Sequence, residues 1–223
     1  MRKLSERTRT ALDAVYAAFA ENGRPERIAA CPCCVSAEEL AALTGTKLRD
    51  LTWPQLEHYL SAVFLTSGGP EDFRYFLPRL LDLNAHVRWD LQSDWEILLG
   101  KLSLGEWQTW PKRERGALSE FLHATLEDLI AAGEERGEEV DSFLCGLARG
   151  GVDLQYYLDR LSQPDADAAF FALHDWNAVS LMKGKLANAF WKDHRAAGEP
   201  IKQWLLSEAN AARLARRGRP EKR

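Results

Sequence analysis

No stretch of this 223-residue chain stays apolar for the roughly 20 residues that a helix needs to cross a bilayer, so no membrane-spanning segment is expected. The opening MRKLSERTRTALDAV meets charges and hydroxyls before any apolar run develops, which argues against a signal or transit sequence. Cysteine is scarce, with four in all. Without an export signal, the reducing cytoplasm is the expected compartment, and structural disulfides are not expected. There is no surplus of positive charge either: a formal net charge of -4 offers no global attraction to nucleic acid or to an anionic membrane, so any such contact would have to be local. The sequence has no glycine-rich phosphate loop, nucleophile elbow or serine-centred triad motif, which leaves an enzyme unsupported. Strand-type alternation is nearly absent as well. Only Phe170-Phe171-Ala172-Leu173 reads as either strand or helix.

What is present is helical rhythm in a chain that is 46% hydrophobic, enough to build a substantial core. The strongest pattern lies over 70–83, PEDFRYFLPRLLDL, where Phe73, Phe76, Leu77, Leu80 and Leu81 fall on one helical face. Pro70 suits a first turn, Glu71 and Asp72 complement the positive helix end, and Pro78 predicts a kink. Before it, the spacing predicts a helix over 5–21 with Leu12, Val15, Tyr16 and Phe19 inward, stopped by Asn22-Gly23 in a left-handed turn. Ser36 with Glu39, and Thr52 with Gln55, are capping boxes that open two further helices, and Ser67-Gly68-Gly69 turns the second of them into the Pro70 helix. Ser93 and Glu96 open another, with Leu91, Trp95, Leu98, Leu99 and Leu102 inward; Trp107, Trp110 and Pro111 lead into the longest, which ends at Gly133.

An acidic loop is expected over 134–139, followed by a helix ending at Gly150-Gly151, a shorter one capped by Asp153, and a break at Pro164. The remainder favours helix, divided near Gly184, with Gly198 and Pro200 separating a last helix over 201–217 and a frayed basic tail over 218–223. Helices joined by short loops make an all-α fold of antiparallel hairpins, packed as a single domain with a soft boundary near 133–139. No sequence signature repeats at constant period, so an irregular bundle and a short solenoid-like array both stand.

The sharpest chemical locus is Cys31-Pro32-Cys33-Cys34. Cys31 and Cys34 have the two-residue spacing that lets two thiolates meet one tetrahedral zinc. A second ligand pair is missing; Glu57, His58 or Cys145 would have to be brought in by the fold, and the plainer reading is partly buried cysteines ahead of a helix cap. Cys-Pro-x-Cys is also the pattern of thiol oxidoreductases, but that chemistry follows a strand, whereas here a helix and a connector precede it. Vicinal Cys33-Cys34 would form only a strained bridge. Glu120 and His123, with Glu127 a turn on, imitate half of a carboxylate-bridged di-metal site; no second Glu-x-x-His exists, so they read as a polar face. His174-Asp175 and Asp193-His194 are neighbours that point apart on a helix.

Arg213, Arg216, Arg217, Arg219, Lys222 and Arg223 form a basic C-terminal tail that either touches phosphates or simply complements a helix dipole. Without interleaved aromatics, a nucleic-acid role is not favoured. Arg74 and Arg79 lie off the apolar stripe of the Pro70 helix, and Trp107 and Trp110 stand near a loop; these four are the candidate contacts for a protein partner.

Cys31-Pro32-Cys33-Cys34, then Leu48-Arg49-Asp50-Leu51-Thr52, then Asp72-Phe73-Arg74-Tyr75-Phe76-Leu77-Pro78-Arg79-Leu80-Leu81-Asp82-Leu83, taken in that order, resemble a family of uncharacterised bacterial proteins. The resemblance covers roughly 31–83, implies a bacterial cytosolic source, and carries no activity, substrate or catalytic residue with it. Two functional expectations follow from the residues themselves. One is a non-enzymatic interaction module using Arg74, Arg79, Trp107 and Trp110. The other is a zinc-binding or thiol-based protein centred on Cys31 and Cys34.

Overall fold

The structure is a computed structural model that describes residues 4–86 and 95–217. Among the described residues it contains eleven α-helices, several short 3-10 turns and no strand beyond isolated bridges. The fold is all-α, as the periodicity predicts. None of these helices is long and apolar enough to cross a membrane. The chain divides into two compact units at Asp128/Leu129. That division falls inside a long helix, whereas the sequence placed a soft boundary in the 133–139 segment.

In the N-terminal unit, α1 (Glu6–Ala18) starts where Ser5 Oγ accepts from the Thr8 N–H at 3.1 Å. It ends at Phe19, and Gly23 does not adopt the left-handed backbone expected of it. α2 (Ala37–Gly45) and α3 (Trp53–Ala62) open where the sequence placed them. Glu39 reaches back to the Ser36 N–H at 2.8 Å, and Gln55 to the Thr52 N–H at 2.9 Å. A short turn over 63–67 follows, with Phe64 at φ 67°, and Gly68 at φ 63° turns the chain into α4 (Pro70–His86).

α4 is the axis of this unit and runs unbroken through Pro78. Phe73, Phe76, Leu77, Leu80 and Leu81 are fully buried, each contributing about 1.5–3 kcal/mol of burial. The helix is not one-sided, however. It packs against α1, α3 and α5 (Trp95–Leu104), and only Pro70 and Glu71 are exposed along its length. Leu91 and Ser93, expected at the start of α5, lie outside the described residues. α6 (Lys112–Ala132) is the long helix, with Leu118, Phe121, Leu122 and Leu126 buried in the N-terminal unit.

In the C-terminal unit, 134–139 is not a loop. Gly133, at φ 73°, opens a 3-10 turn that passes directly into α7 (Gly137–Arg149). α8 (Gln155–Leu161) begins where Asp153 accepts from the Gln155 N–H at 3.0 Å, and α9 (Asp167–Leu181) absorbs Phe170-Phe171-Ala172-Leu173 as helix. α7 and α9 are the most extensively packed pair. Gly184, at φ 70°, does divide the next segment. Gly198 and Pro200 do not separate a helix: both lie within α10 (Arg195–Leu205), and α11 (Glu208–Arg217) is a further helix. Gly198 is buried against Trp191, where a Cβ would come within 3.0 Å of the ring. Close packing, rather than chain-breaking, is what this glycine provides.

Candidate metal centre

Cys31, Cys33 and Cys34 lie on a single turn that is held at both ends. On one side, Ala30 and Ser67 form an antiparallel bridge; Cys31 N–H donates to Thr66 O at 2.8 Å and Gly68 N–H to Ala29 O at 2.7 Å. On the other, the turn runs into the capped start of α2. Between the two, Cys34 N–H and Val35 N–H both donate to Cys31 O, at 3.0 and 3.1 Å, curling the four residues tightly. The three sulfur atoms fall within 4.8 Å of one another. Cys31 is half-buried, and Cys33 and Cys34 are exposed.

The Sγ atoms of Cys31 and Cys33 are 2.7 Å apart and those of Cys33 and Cys34 are 3.7 Å apart. A tetrahedral zinc with Zn–S bonds near 2.3 Å holds its sulfurs about 3.8 Å apart, so the second pair already has that spacing and the first would have to open by about 1 Å. The Cys31 thiol is pulled below its ordinary value, first by the hydrogen bond it receives from the Cys33 thiol and then by the Cys33 backbone N–H and the Cys34 thiol. Donating to Cys31, and standing between two other sulfurs, pushes the Cys33 thiol up to about 11. Cys31 therefore ionises before Cys33. A bound cation would favour the thiolate form of its sulfur ligands.

Their spacing singled out Cys31 and Cys34 as candidate ligands. Cys33 was not singled out, because spacing alone does not show that the turn directs all three sulfurs to one point. Among the described residues, the group of sulfurs comprises Cys31, Cys33 and Cys34. His58 Nδ1 pairs with Glu39 Oε1 at 2.9 Å, and Glu39 caps α2, its carboxyl held down at about 2 by the Ser36 N–H and then by His58. Cys145 is buried in α7, in the C-terminal unit. Glu120 and His123 stand 3.9 Å apart, with Glu120 largely exposed. His174 and Asp175 are 3.5 Å apart, and Asp175 is taken by Arg217 at 2.7 Å.

Three of the four candidate partner contacts, Arg74, Arg79 and Trp110, are engaged within their own unit. Arg74 pairs with Glu114 and lies over Trp110, while Arg79 donates to Asp82 at 2.7 Å and to Leu51 O at 2.8 Å. Asp82 also accepts from Tyr16 at 2.8 Å, binding α1 to α4. Trp110 is 5% exposed, donates to Gly105 O at 2.8 Å and packs edge-on against Phe19; Trp107 is half-buried on a 3-10 turn. Reading Arg74 and Arg79 as contacts for a protein partner assumed a one-sided helix, and α4 is covered nearly all round. The basic tail is likewise partly internal. Arg213 is buried against the Phe170 ring and donates to Asp167 and to Leu161 O, while Arg217 pairs with Asp175. Arg219, Lys222 and Arg223 lie outside the described residues.

Fold and turn together define an all-α protein with three cysteine thiols gathered on one surface turn. No family model, curated protein or solved structure matches the chain.

Proposed function

We propose that this protein binds a thiophilic metal cation, zinc(II) or copper(I), through Cys31, Cys33 and Cys34. The observation that carries the reading is the convergence of three sulfurs within 4.8 Å on a turn fixed at both ends. An all-sulfur donor set favours soft or borderline cations over magnesium or calcium, which take oxygen ligands. Three thiolates leave the fourth position of a tetrahedral ion open to solvent or a small ligand, whereas copper(I) is content with three. The role is non-enzymatic: holding or delivering the ion. The interaction-module reading draws less support, since Arg74, Arg79 and Trp110 are engaged inside their own unit.

The test is anaerobic titration of the reduced full chain with cobalt(II), as a spectroscopic substitute for zinc, and with copper(I) against a competing chelator. The expected result is a sulfur-to-metal absorption band saturating at about one equivalent for at least one ion, lost in the Cys31→Ser/Cys34→Ser double variant. Absence of such a band, or its persistence in that variant, overturns the reading.

The 2.7 Å approach of Cys31 and Cys33 supports a second reading, reversible oxidation. The Cys31 thiolate attacks a peroxide, one oxygen leaves as water or alcohol, and the resulting sulfenic acid condenses with the Cys33 thiol, forming the S–S bond and releasing a second water. Mass spectrometry after peroxide treatment would show a loss of two hydrogens confined to the Cys31–Cys33 segment, and full retention of both thiols would exclude it.

A further inference from the structure

The C-terminal unit contains a cavity of about 610 Å³, far from the cysteine turn in sequence. It is framed by the 184–192 segment and the first turns of α10, and four cations line it: Lys185, Lys192, Arg195 and Lys202. Glu199 is the single carboxylate among the lining residues, and it is taken by Lys202 at 2.7 Å. The side chains of Lys185, Lys192 and Arg195 have no hydrogen-bond or ion-pair partner among the described residues. Three exposed cations without a counter-charge thus line one concavity, in a chain whose overall charge is -4.

The wall of this cavity is fixed from behind by a buried polar network. Asn177 and Asp141, 0% and 1% exposed, are joined by the Asn177 Nδ2 to Asp141 Oδ1 hydrogen bond at 3.0 Å. Asn177 Oδ1 then accepts from the Ala187 N–H at 2.8 Å, and Asp141 accepts from Trp191 Nε1 at 3.3 Å and from the Asn188 side chain. Asn188 also accepts from the Phe190 N–H at 2.9 Å. Burying a carboxylate is costly. Here the donors it gathers lie on α9 and on the 187–191 segment, which forms one side of the cavity, so the network holds that side in one shape.

We propose that this cavity binds a small phosphate ester, its dianionic phosphate held among Lys185, Lys192 and Arg195 and its organic part lying along Leu186 and Ala187. The size matches a metabolite rather than a macromolecule. An arginine fork beside two lysine point charges suits a phosphate with three terminal oxygens better than a lone carboxylate. This site is independent of the cysteine turn and does not rest on metal binding there.

The test is calorimetric titration of the full chain at low ionic strength with three probes, glucose 6-phosphate, AMP and inorganic phosphate, with citrate as a carboxylate control. At least one ester should bind with a Kd below about 1 mM, more tightly than inorganic phosphate and citrate, and should weaken as salt is raised. The Lys192→Gln/Arg195→Gln variant should lose at least about tenfold in that affinity. Lys183→Gln, which removes an exposed cation outside the lining, should bind as the parent does. Both variants change surface side chains, and far-ultraviolet dichroism matching the parent confirms that they fold. No saturable binding of either ester, equal binding by the double variant, or citrate or inorganic phosphate binding as tightly as the esters would overturn the proposal.

Discussion

Glu114, with its side chain 2% exposed, accepts from both Nε and Nη2 of Arg74, at 3.1 and 2.7 Å, and from Asn22 Nδ2 at 3.1 Å. A carboxylate this deep is tolerable only while these donors remain. Replacing Arg74 with Ala should therefore destabilise the N-terminal unit by about 3–5 kcal/mol, most of it the penalty on the stranded Glu114 charge. Arg74→Met with Glu114→Leu should recover a large part of the loss. Calorimetric unfolding of the full chain checks both, and a loss from Arg74→Ala below about 1 kcal/mol would show that the pair behaves as an exposed one.

Gly137 gives a sharper steric test. A Cβ built there would collide with the carbonyl oxygen of Ala172, so α7 and α9 touch through backbone at this point. Gly137→Ala must push the helices apart, and the expected cost is upwards of about 3 kcal/mol despite the better helix propensity of alanine. Thermal unfolding of the variant, compared with Gly116→Ala, where nothing lies within 4 Å of the added methyl, separates the clash from propensity.

Local rules made the capping residues Ser36, Thr52 and Asp153 and the buried stripe of α4 legible in the sequence, because each involves residues within a turn or two of one another. Misreadings arose where a distant partner decides the outcome. Arg74 was read as a candidate contact for a protein partner, because its own partner Glu114 is 40 positions away. Gly198 looked like a breaker because the Trp191 ring that requires it has no place in a helix-stop pattern. The cysteine turn was half legible, by the spacing of two thiols. The cationic cavity was not legible at all, since Lys185, Lys192 and Arg195 follow no motif and become a group only when α10 folds back on the 184–192 segment.

Thiol reactivity should follow the hydrogen bonding of the turn. Cys31, held below its ordinary pKa by donors from Cys33, should react first with iodoacetamide near neutral pH. Cys33, pushed up to about 11, should lag, and Cys145, fully buried in α7, should react only on unfolding. Timed alkylation read by peptide mass spectrometry gives the order directly. Cys33→Ser should slow Cys31, since it removes the largest of the influences that favour the Cys31 thiolate. Equal rates for Cys31 and Cys33 would show that the sulfur pair does not form in solution.

Asp141 makes a prediction whose sign is fixed by its burial. Desolvation raises its pKa from 3.8 to about 6, opposed by hydrogen bonds from Asn177, Trp191 and Asn188 and reinforced by the Glu138 charge. Below pH 4 both folded and unfolded states hold the proton, so the group costs nothing. Between about 4 and 6 the unfolded chain ionises first, and folding loses stability as pH rises, levelling off above the folded value. The full excursion is about 3 kcal/mol. Asp72, itself raised by burial, and Glu39, held down by its cap, titrate over neighbouring ranges, so the parent's curve alone does not isolate the effect. Asp141→Asn removes only this titration: its stability should lack the decline across pH 4–6 that the parent shows, whatever its offset. Parallel pH profiles for the two proteins, followed by calorimetry of the full chain, would mean that Asp141 is not buried as a carboxylate behind the cavity wall.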